Sequence, residues 1–208
     1  MANPKATRGF GLLEGFLARK RAQKANSLIP QSYRSGRILD IGAGSYPVFL
    51  LTTTFFEKFG IDKTFSAFWQ TKPKTHNVAL MCHDIESENP LPFQDEYFDV
   101  ITMLAVIEHI AHYNLPRVSQ ELYRILRRGG LLIITTPAEW TGLILNGMTC
   151  LKLISNQEIR DHKGLHSADS IIITLQQGGF SPNNIQLGFF EFFMNTWVTV
   201  TKKGPIIH

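Results

Sequence analysis

Cysteine is scarce in this chain. Only Cys82 and Cys150 occur among its 208 residues, and no CxxC pair is present. The sequence therefore predicts neither a disulfide framework nor a zinc site of the usual ligand spacing. We interpret both cysteines as packing residues in a reducing compartment, which predicts a cytoplasmic protein.

Long apolar runs are also missing. Glu14 and Gly15 interrupt the apolar patch near the N-terminus before the core of a signal peptide is complete. Residues 143–154 form the longest other candidate, but polar residues break this segment and it is too short to span a bilayer. The sequence therefore predicts a soluble protein without a transmembrane segment.

Charge of one sign is not in large excess. The formal net charge is +4, and no basic stripe with interleaved aromatic residues is present, which disfavours nucleic acid as a partner. The apolar content of 44% excludes a disordered chain and is sufficient for one core. We predict a single domain over residues 1–208.

Short apolar runs alternate with helical or loop segments from residue 36 onwards. This alternation is typical of an α/β protein with a doubly wound parallel sheet and helices on both faces, in three layers. Two later runs, 185–193 and 196–202, are too close together for a crossover helix and should pair antiparallel. The parallel strands are predicted at 37–41, 59–62, 78–82, 98–104 and 131–135.

Three helices are indicated by apolar periodicity. The first covers residues 10–25 in an N-terminal extension (1–34), and we expect it outside the main fold. The second covers 116–128, with Arg127 and Arg128 in its last turn and Gly129 as a left-handed cap. The third covers 167–177. Residues 138–165 are interpreted as an insertion, or lid, over the carboxyl edge of the sheet.

A glycine-rich turn follows the first predicted strand. Its residues are Gly42, Ala43, Gly44, Ser45, Tyr46 and Pro47. Glycines allow a sharp turn and close approach of the backbone to a ligand, and Pro47 suits the first position of a helix. Free N–H groups at a helix start favour an anionic group. Dinucleotide-binding proteins begin in the same way, so this turn alone leaves a nicotinamide-dependent oxidoreductase open.

Two acids follow the next two predicted strands. Asp62 comes 20 residues after Gly42 (62 minus 42), where doubly wound folds place an acid for ribose hydroxyls. Asp84 follows the third strand, where a carboxylate can accept a hydrogen bond from the exocyclic amine of a nucleoside. Each acid alone is an ordinary turn residue. The interpretation as a nucleoside-binding site depends on the glycine-rich turn, Asp62 and Asp84 occurring in this order after successive strands.

The segments LDIGAG, GID, HDIE with LPF, FDVITMLAVIEHI and LRRGGLLIITTP occur in this order. Over residues 36–203 the chain thereby resembles the class I S-adenosylmethionine-dependent methyltransferases, particularly the group that includes ubiquinone- and menaquinone-biosynthesis enzymes. The resemblance implies a seven-stranded, mostly parallel sheet with an antiparallel C-terminal hairpin strand, and S-adenosylmethionine as the cofactor.

The resemblance also implies roles for individual residues. Around the methionine part of the cofactor it places Asp40, Gly42, Ala43 and Gly44. It assigns Asp62 to the ribose and Asp84 with Ile85 to the adenine. Beside the methyl donor it places Ala105, Glu108 and His109. Tyr46 stands where the family has a third glycine, a position compatible with a side chain that points away or stacks over the cofactor.

The acceptor is less well defined. A small molecule such as a sugar, a lipid or another metabolite is expected, with methyl transfer in line to oxygen, nitrogen or carbon. His109 is the best-placed base, although it can equally serve only to shape its turn. Side chains that could line the acceptor pocket are Tyr113, Trp140, His162 and His166. No carboxylate helix motif accompanies His162 and His166, so no metal is expected.

Two alternatives to an active methyltransferase are compatible with the sequence. One is a non-catalytic S-adenosylmethionine-binding protein, suggested by Tyr46 in the turn. The other is the oxidoreductase, which needs a third turn glycine where this chain has Pro47. The N-terminal helix can serve as a cap over the cofactor cleft, a dimer contact or a weak membrane contact through residues 10–25. Its few apolar anchors favour the first two, and both a monomer and a homodimer stay open.

Overall fold

In the computed structural model, residues 14–44, 46–64, 77–138, 167–191 and 193–204 are described. Their strands form one sheet. The strands are β1 (Arg37–Ile41), β2 (Glu57–Asp62), β3 (Val78–Cys82), β4 (Phe98–Leu104), β5 (Leu126–Pro137), β6 (Ile185–Phe190) and β7 (Asn195–Thr201). Their order in the sheet is β3-β2-β1-β4-β5-β7-β6.

The pairing confirms the predicted fold class. Strand β1 pairs in parallel with both β2 and β4, and β2 with β3 and β4 with β5 do the same. Strand β7 runs antiparallel to β5 and to β6. The chain order reverses between β1 and β4, and in sheets of this type a ligand cleft opens at the carboxyl ends of the strands beside that reversal.

Each face of the sheet carries its own apolar cluster. On one face, α3 (Leu115–Ile125) and α4 (Ala168–Gln177) bury residues such as Leu122 and Leu175 against β4 and β5. On the other face, α1 (Glu14–Leu28) and α2 (Val48–Thr52) pack over β1, β4 and β5. The three-layer arrangement is therefore the one expected from the continuous apolar strands.

Helix α1 packs against the sheet, whereas the sequence predicted it to lie outside the main fold. Ala22, Ala25 and Ile29 are buried in the same cluster as Ile38 and Ile133 of the sheet. The prediction was wrong because it relied on large apolar residues, whereas small alanine side chains bring the helix close to the strands. The described helix extends to Leu28, three residues beyond the predicted end.

Helix α3 ends earlier than predicted. Ile125 is its last residue, and Leu126 already has extended backbone angles and pairs with Phe98 as the first residue of β5. Leu126 is completely buried, so burial in the sheet outweighs continuation of the helix. Arg127 and Arg128 therefore lie in the strand, not in the last helical turn.

Two other cations lie at the carboxyl end of α3, and the first is Arg124 in its last turn. Lys202, just after β7, donates from Nζ to the carbonyl oxygens of Tyr123 and Leu126, each at 2.8 Å. Gly129 does have a positive φ of 70°, but inside β5 and not as a helix cap. The expected electrostatic match at the helix end is thus present with a different donor.

The remaining elements follow the sequence closely. Ser167 caps α4 by accepting from the N–H of Ser170 at 3.2 Å, and Gly179 has a φ of 106° after its end. Helix α2 has only five residues, and Pro47 stands at its N-cap, one position before the predicted one. Cys82 is exposed and not a packing residue, because β3 is an edge strand with solvent on one side.

The lid and the absence of a transmembrane segment are the two remaining predictions. The predicted lid, except for Ala138, lies outside the described residues. Among the described helices, none has the length and apolar character that a membrane-spanning segment requires.

Candidate active site

The first two acids of the predicted site lie at the same edge of the sheet. Asp40 is in β1 and Asp62 ends β2, and the register pairs Asp40 with Gly60 on one side and with Thr102 on the other. Because these strands are parallel, their carboxyl ends meet at one edge. The sheet therefore brings together groups that are far apart in sequence.

The glycine-rich turn is tied to β2. The N–H groups of Gly42 and Ala43 both donate to the carbonyl oxygen of Ile61, at 2.8 and 3.1 Å. The N–H of Gly44 donates to Oδ2 of Asp62 at 3.0 Å. Gly42 and Gly44 have φ values of 72° and 71°, a region that favours glycine. The turn is thus held in one conformation by the strand beside it.

Gly42 has a second requirement besides its backbone angle. A Cβ atom at this position would collide with the side chain of Val106, which belongs to the turn after β4. The missing side chain therefore lets the two turns pack directly on each other. This glycine therefore serves the junction between the turns, and its contact with the cofactor stays a prediction.

Tyr46 and Pro47 form the exit from the turn. Val48 donates its N–H to the carbonyl oxygen of Tyr46 at 2.8 Å, and Pro47 between them has φ −78° and ψ 68°. These values describe an inverse γ-turn, which is common where a loop leaves a strand. Tyr46 is half-buried. Its contact with the cofactor stays a prediction.

Asp40 is a buried acid with one strong hydrogen bond. Its carboxylate accepts from the hydroxyl of Thr102 at 2.6 Å, and only 4% of the residue is exposed. The pKa of Asp40 is raised to about 7, because burial and, to a smaller extent, the charge of Asp62 outweigh the hydrogen bond from Thr102, which lowers it. Asp40 therefore changes its protonation near neutral pH.

Asp62 is held by its own loop. Oδ1 accepts from the N–H of Thr64 at 2.9 Å and from its hydroxyl at 3.3 Å, while Oδ2 accepts from Gly44. The residue is 6% exposed. Next to it, His83 donates its backbone N–H to the Asp62 carbonyl at 3.0 Å. The Nε2 atom of His83 is buried and has no hydrogen-bond partner in the described parts of the chain.

The residues predicted for the adenine follow β3. Asp84 is exposed, and its Oδ1 accepts from the N–H of Glu86 at 2.9 Å. Ile85 is half-buried against the larger apolar cluster, and its carbonyl accepts from Arg117 at 3.1 Å. The loop thus exposes a carboxylate beside an apolar surface. That arrangement suits a flat base with an amino group, and the assignment to adenine stays a prediction.

The turn after β4 is strained and buried. Ala105 has a φ of 57°, which is uncommon for alanine, and its N–H donates to the Thr135 carbonyl at 2.9 Å. Strain of this kind is often found at functional sites. The backbone here turns sharply enough to direct the residues that follow, Glu108 and His109, along the carboxyl edge.

Glu108 is a buried carboxyl group. It is 1% exposed, and the hydroxyl of Thr136 donates to its Oε2 at 3.3 Å. Burial raises the pKa of Glu108, while the charges of His109 and Arg21 and the Thr136 hydrogen bond oppose that rise. His109 is half-buried, and its N–H donates to the Val106 carbonyl at 2.9 Å. Both residues lie in one short helical turn.

Further polar residues at this edge were not predicted from the sequence. Asn195, the first residue of β7, is 6% exposed and donates to Glu191 at 2.7 Å. Thr136 lies near the end of β5, and a pair of threonines at the end of a predicted strand was a usable signal for it. The charge of Arg21 on α1 acts on Glu108, and no local pattern indicates that the two residues are near each other.

The acceptor residues are less well placed. Tyr113 is 84% exposed in the helical turn before α3. Trp140, His162 and His166 lie outside the described residues. In the described ranges no three potential metal ligands come together. The roles of these four side chains in substrate binding stay predictions.

Comparison with known proteins supports the family resemblance. Residues 39–134, which include the glycine-rich turn, Asp62 and the β4 turn, match the model of a methyltransferase domain family. This match covers a little under half of the chain and, together with the shared fold, supports a class I S-adenosylmethionine-dependent methyltransferase. No curated protein matches it. The ubiquinone- and menaquinone-like subgroup stays a prediction.

Solved structures of methyltransferases share the fold. One is a methyltransferase from Thermotoga maritima, described as a possible histamine N-methyltransferase, with 20% identity, 92% of each chain covered and a TM-score of 0.68. A second is a methyltransferase from Archaeoglobus fulgidus, with 16% identity, 91% and 94% coverage and a TM-score of 0.64. A third is a putative methyltransferase in complex with the Trm112 activator of Haloferax volcanii, with 15% identity, 94% and 98% coverage and a TM-score of 0.64.

S-adenosylmethionine is the cofactor of this methyltransferase, and the described residues fit it. The acids Asp40 and Asp62 lie beside the glycine-rich turn, and Asp84 follows the adjacent strand. Two buried nitrogen atoms, Nε2 of His83 and Nε of Arg21, have no hydrogen-bond partner among the described residues. Buried polar groups are normally satisfied, so these atoms indicate that a polar ligand belongs at this edge.

Proposed function

We propose that this methyltransferase acts on a small molecule, such as a sugar, a lipid or another metabolite, and transfers the methyl group in line to oxygen, nitrogen or carbon. The proposal depends mainly on the burial of the polar groups beside the donor position. Glu108, Thr136 and Asn195 are each less than a tenth exposed, at the ends of three adjacent segments. A compact buried polar surface of this kind suits a small ligand.

The residues of the protein have a limited set of tasks in this reaction. The cofactor, when bound, supplies a methyl group on a sulfonium that is already activated. The chain must orient the acceptor atom and keep water away from it. Glu108 and Thr136 offer hydrogen bonds for orientation. We assign to His109 the removal of a proton from an acceptor hydroxyl or amine.

Relatives by fold leave several acceptor classes open. The Thermotoga maritima protein is described as a possible histamine N-methyltransferase. Another protein of similar fold is the carbon methyltransferase CurJ, of which 52% of the chain is covered, with a TM-score of 0.57. A buried carboxyl group such as Glu108 suits an amine or a hydroxyl acceptor, because it can accept a hydrogen bond from either. A cytoplasmic location and a monomeric or homodimeric state are predictions from the sequence.

The direct test is release of S-adenosylhomocysteine with a panel of acceptors. The panel contains amines, sugars, carboxylic acids and lipids in separate pools, with transfer RNA and unfolded protein as macromolecular pools. We expect product only with a small-molecule pool, and a strong decrease for His109→Asn. Product with RNA or protein alone would contradict the proposal. Cofactor binding without turnover on any pool would favour the non-catalytic alternative.

A further inference from the structure

Arg21 is an unusual arginine in this structure. It lies half-buried on α1, and its Nε atom is shielded from solvent without a hydrogen-bond partner among the described residues. A guanidinium N–H that is removed from water and makes no hydrogen bond lowers the stability of the fold. Such a group in a folded protein calls for an explanation, and a missing ligand is one.

Helix α1 packs on the face of the sheet that carries the glycine-rich turn. Ala22, next to Arg21, is 3% exposed and belongs to the apolar cluster that contains Ala43 of that turn and, at its margin, Leu104 at the end of β4. The helix therefore shares an apolar cluster with residues of the region that the family resemblance assigns to the methionine part of the cofactor.

The nearest acids do not satisfy Arg21. Its positive charge lowers the pKa of Glu108 in the β4 turn and of Glu191 in the β6–β7 turn, so that both acids lie within electrostatic range of the guanidinium. Glu108 instead accepts from Thr136, and Glu191 accepts from Asn195. No ion pair within 4 Å joins Arg21 to either acid in the described ranges.

We propose that Arg21 binds the α-carboxylate in the amino-acid part of S-adenosylmethionine. The carboxylate is the anionic group of the cofactor and belongs to the end that lies at the glycine-rich turn and the β4 turn. Arginine binds carboxylates through two parallel hydrogen bonds, and Nε takes part in one such arrangement. The inference rests on cofactor binding at this edge and is independent of the acceptor.

Two ligands separate this contact from the rest of the cofactor site. S-adenosylhomocysteine carries the carboxylate, whereas 5′-methylthioadenosine has the same adenosine and sulfur but lacks the amino-acid part. Calorimetry measures both dissociation constants for the wild-type protein and for Arg21→Met, which keeps the apolar stem and loses the charge. We expect S-adenosylhomocysteine to bind about 10- to 50-fold more weakly to the variant, as for a lost charged hydrogen bond, and 5′-methylthioadenosine to bind equally well.

Arg19→Met is the matched control, because Arg19 is exposed on the same helix. Both ligands should bind this variant as they bind the wild type. Equal affinity of the wild type and Arg21→Met for S-adenosylhomocysteine would overturn the proposal and leave an anionic group of the acceptor as the partner. An equal loss for both ligands would also overturn it, since that result indicates displacement of α1. A wild-type protein that bound neither ligand would instead contradict the cofactor site itself.

Discussion

The two ends of the sheet use arginine in opposite ways. At the amino end, Arg124 of α3 donates to the carbonyls of Leu91 and Phe93 and to the carboxylates of Glu121 and Asp95, all within 3.0 Å. At the carboxyl end, the buried Nε of Arg21 has no hydrogen-bond partner among the described residues. The Arg124 guanidinium thus donates to several protein groups, whereas that of Arg21 keeps a buried N–H without a partner in the described part of the chain.

Other charges follow the same division. At the amino end, Asp99 accepts from the N–H of Arg37 at 2.7 Å and from Nε of Arg127 at 2.5 Å. At the carboxyl end, the pKa values of Asp40 and Glu108 are raised, mainly by burial. The amino end thus contributes stability, whereas the carboxyl end keeps polar groups incompletely satisfied for a ligand.

The largest effect is expected at the amino end. Arg124→Met leaves two carbonyls and two carboxylates without their donor, and we expect a loss of about 3 kcal/mol in the free energy of unfolding. Thermal denaturation should show a decrease in Tm of about 8 °C. The dissociation constant for S-adenosylhomocysteine should not change. Arg128→Met is the control, because Arg128 pairs with Glu96 at an exposed position and exposed pairs contribute little.

The second effect concerns catalysis at the carboxyl end. His109→Asn should lower kcat by about 100-fold for a hydroxyl or amine acceptor, because the proton acceptor is lost while a hydrogen-bonding side chain stays. Binding of S-adenosylhomocysteine and Tm should stay close to the wild type. His112→Asn, three residues further on and exposed, should leave kcat unchanged. A similar decrease in kcat for both variants would contradict the role of His109.

The third effect concerns the cofactor. Asp62→Asn replaces the carboxylate that the resemblance assigns to the ribose and should raise the dissociation constant for S-adenosylhomocysteine by about 30-fold. Asp84→Asn should raise it by only about threefold, because Asp84 is exposed and its hydrogen bonds compete with water. Calorimetry distinguishes the two variants. If Asp84→Asn had the larger effect, the ordering of the two acids by burial would be wrong.

The smallest effect depends on pH. The folded-state pKa of Asp40, about 7, lies above the value of 3.8 for an unperturbed Asp. Ionised Asp40 is therefore disfavoured in the folded state, and its destabilising contribution grows as pH rises from about 4 to about 7 and is constant above that. Between pH 6 and pH 8 it should lower the free energy of unfolding by roughly 1 kcal/mol.

Asp40→Asn tests this contribution, since the amide oxygen can still accept from Thr102 but does not ionise. Denaturant unfolding at pH 6 and at pH 8 should show a smaller decrease in stability for the variant than for the wild type. A pH dependence identical in both proteins would show that Asp40 is ionised over the whole range. Asp169→Asn, an exposed acid in α4, serves as the control.

Much of the fold could be predicted from the sequence, because burial on both faces gives parallel strands a continuous apolar run. The bounds of β1, β3 and β4 are the predicted ones. The end of α3 was wrong because a local pattern does not show that Leu126 is needed in the sheet. Basic residues before a glycine are as compatible with the end of a helix as with the strand in which Arg127 and Arg128 lie.

The site shows the same limit. The place of Asp62 was predictable because it stands at the end of an apolar run, where a parallel sheet brings such residues to one edge, whereas Asp40 was indicated by the family resemblance. The position of Arg21 was not predictable, since it depends on how closely alanines let α1 approach the strands. Glu191 and Asn195 were missed for a related reason, because only the antiparallel register of β7 brings their turn to the carboxyl edge.

The place of β7 between β5 and β6 has a consequence for folding. Strand β6 precedes β7 in the chain and has no other partner than β7 in the described sheet, which it joins only through β7. During synthesis, β1 to β5 can therefore form a parallel sheet while β6 still waits for the strand that follows it. Glu191 and Asn195 reach the edge only in that last step, so the binding surface for the acceptor should mature after the cofactor surface. Pairings between distant segments are slow steps in folding, which makes this the expected late stage.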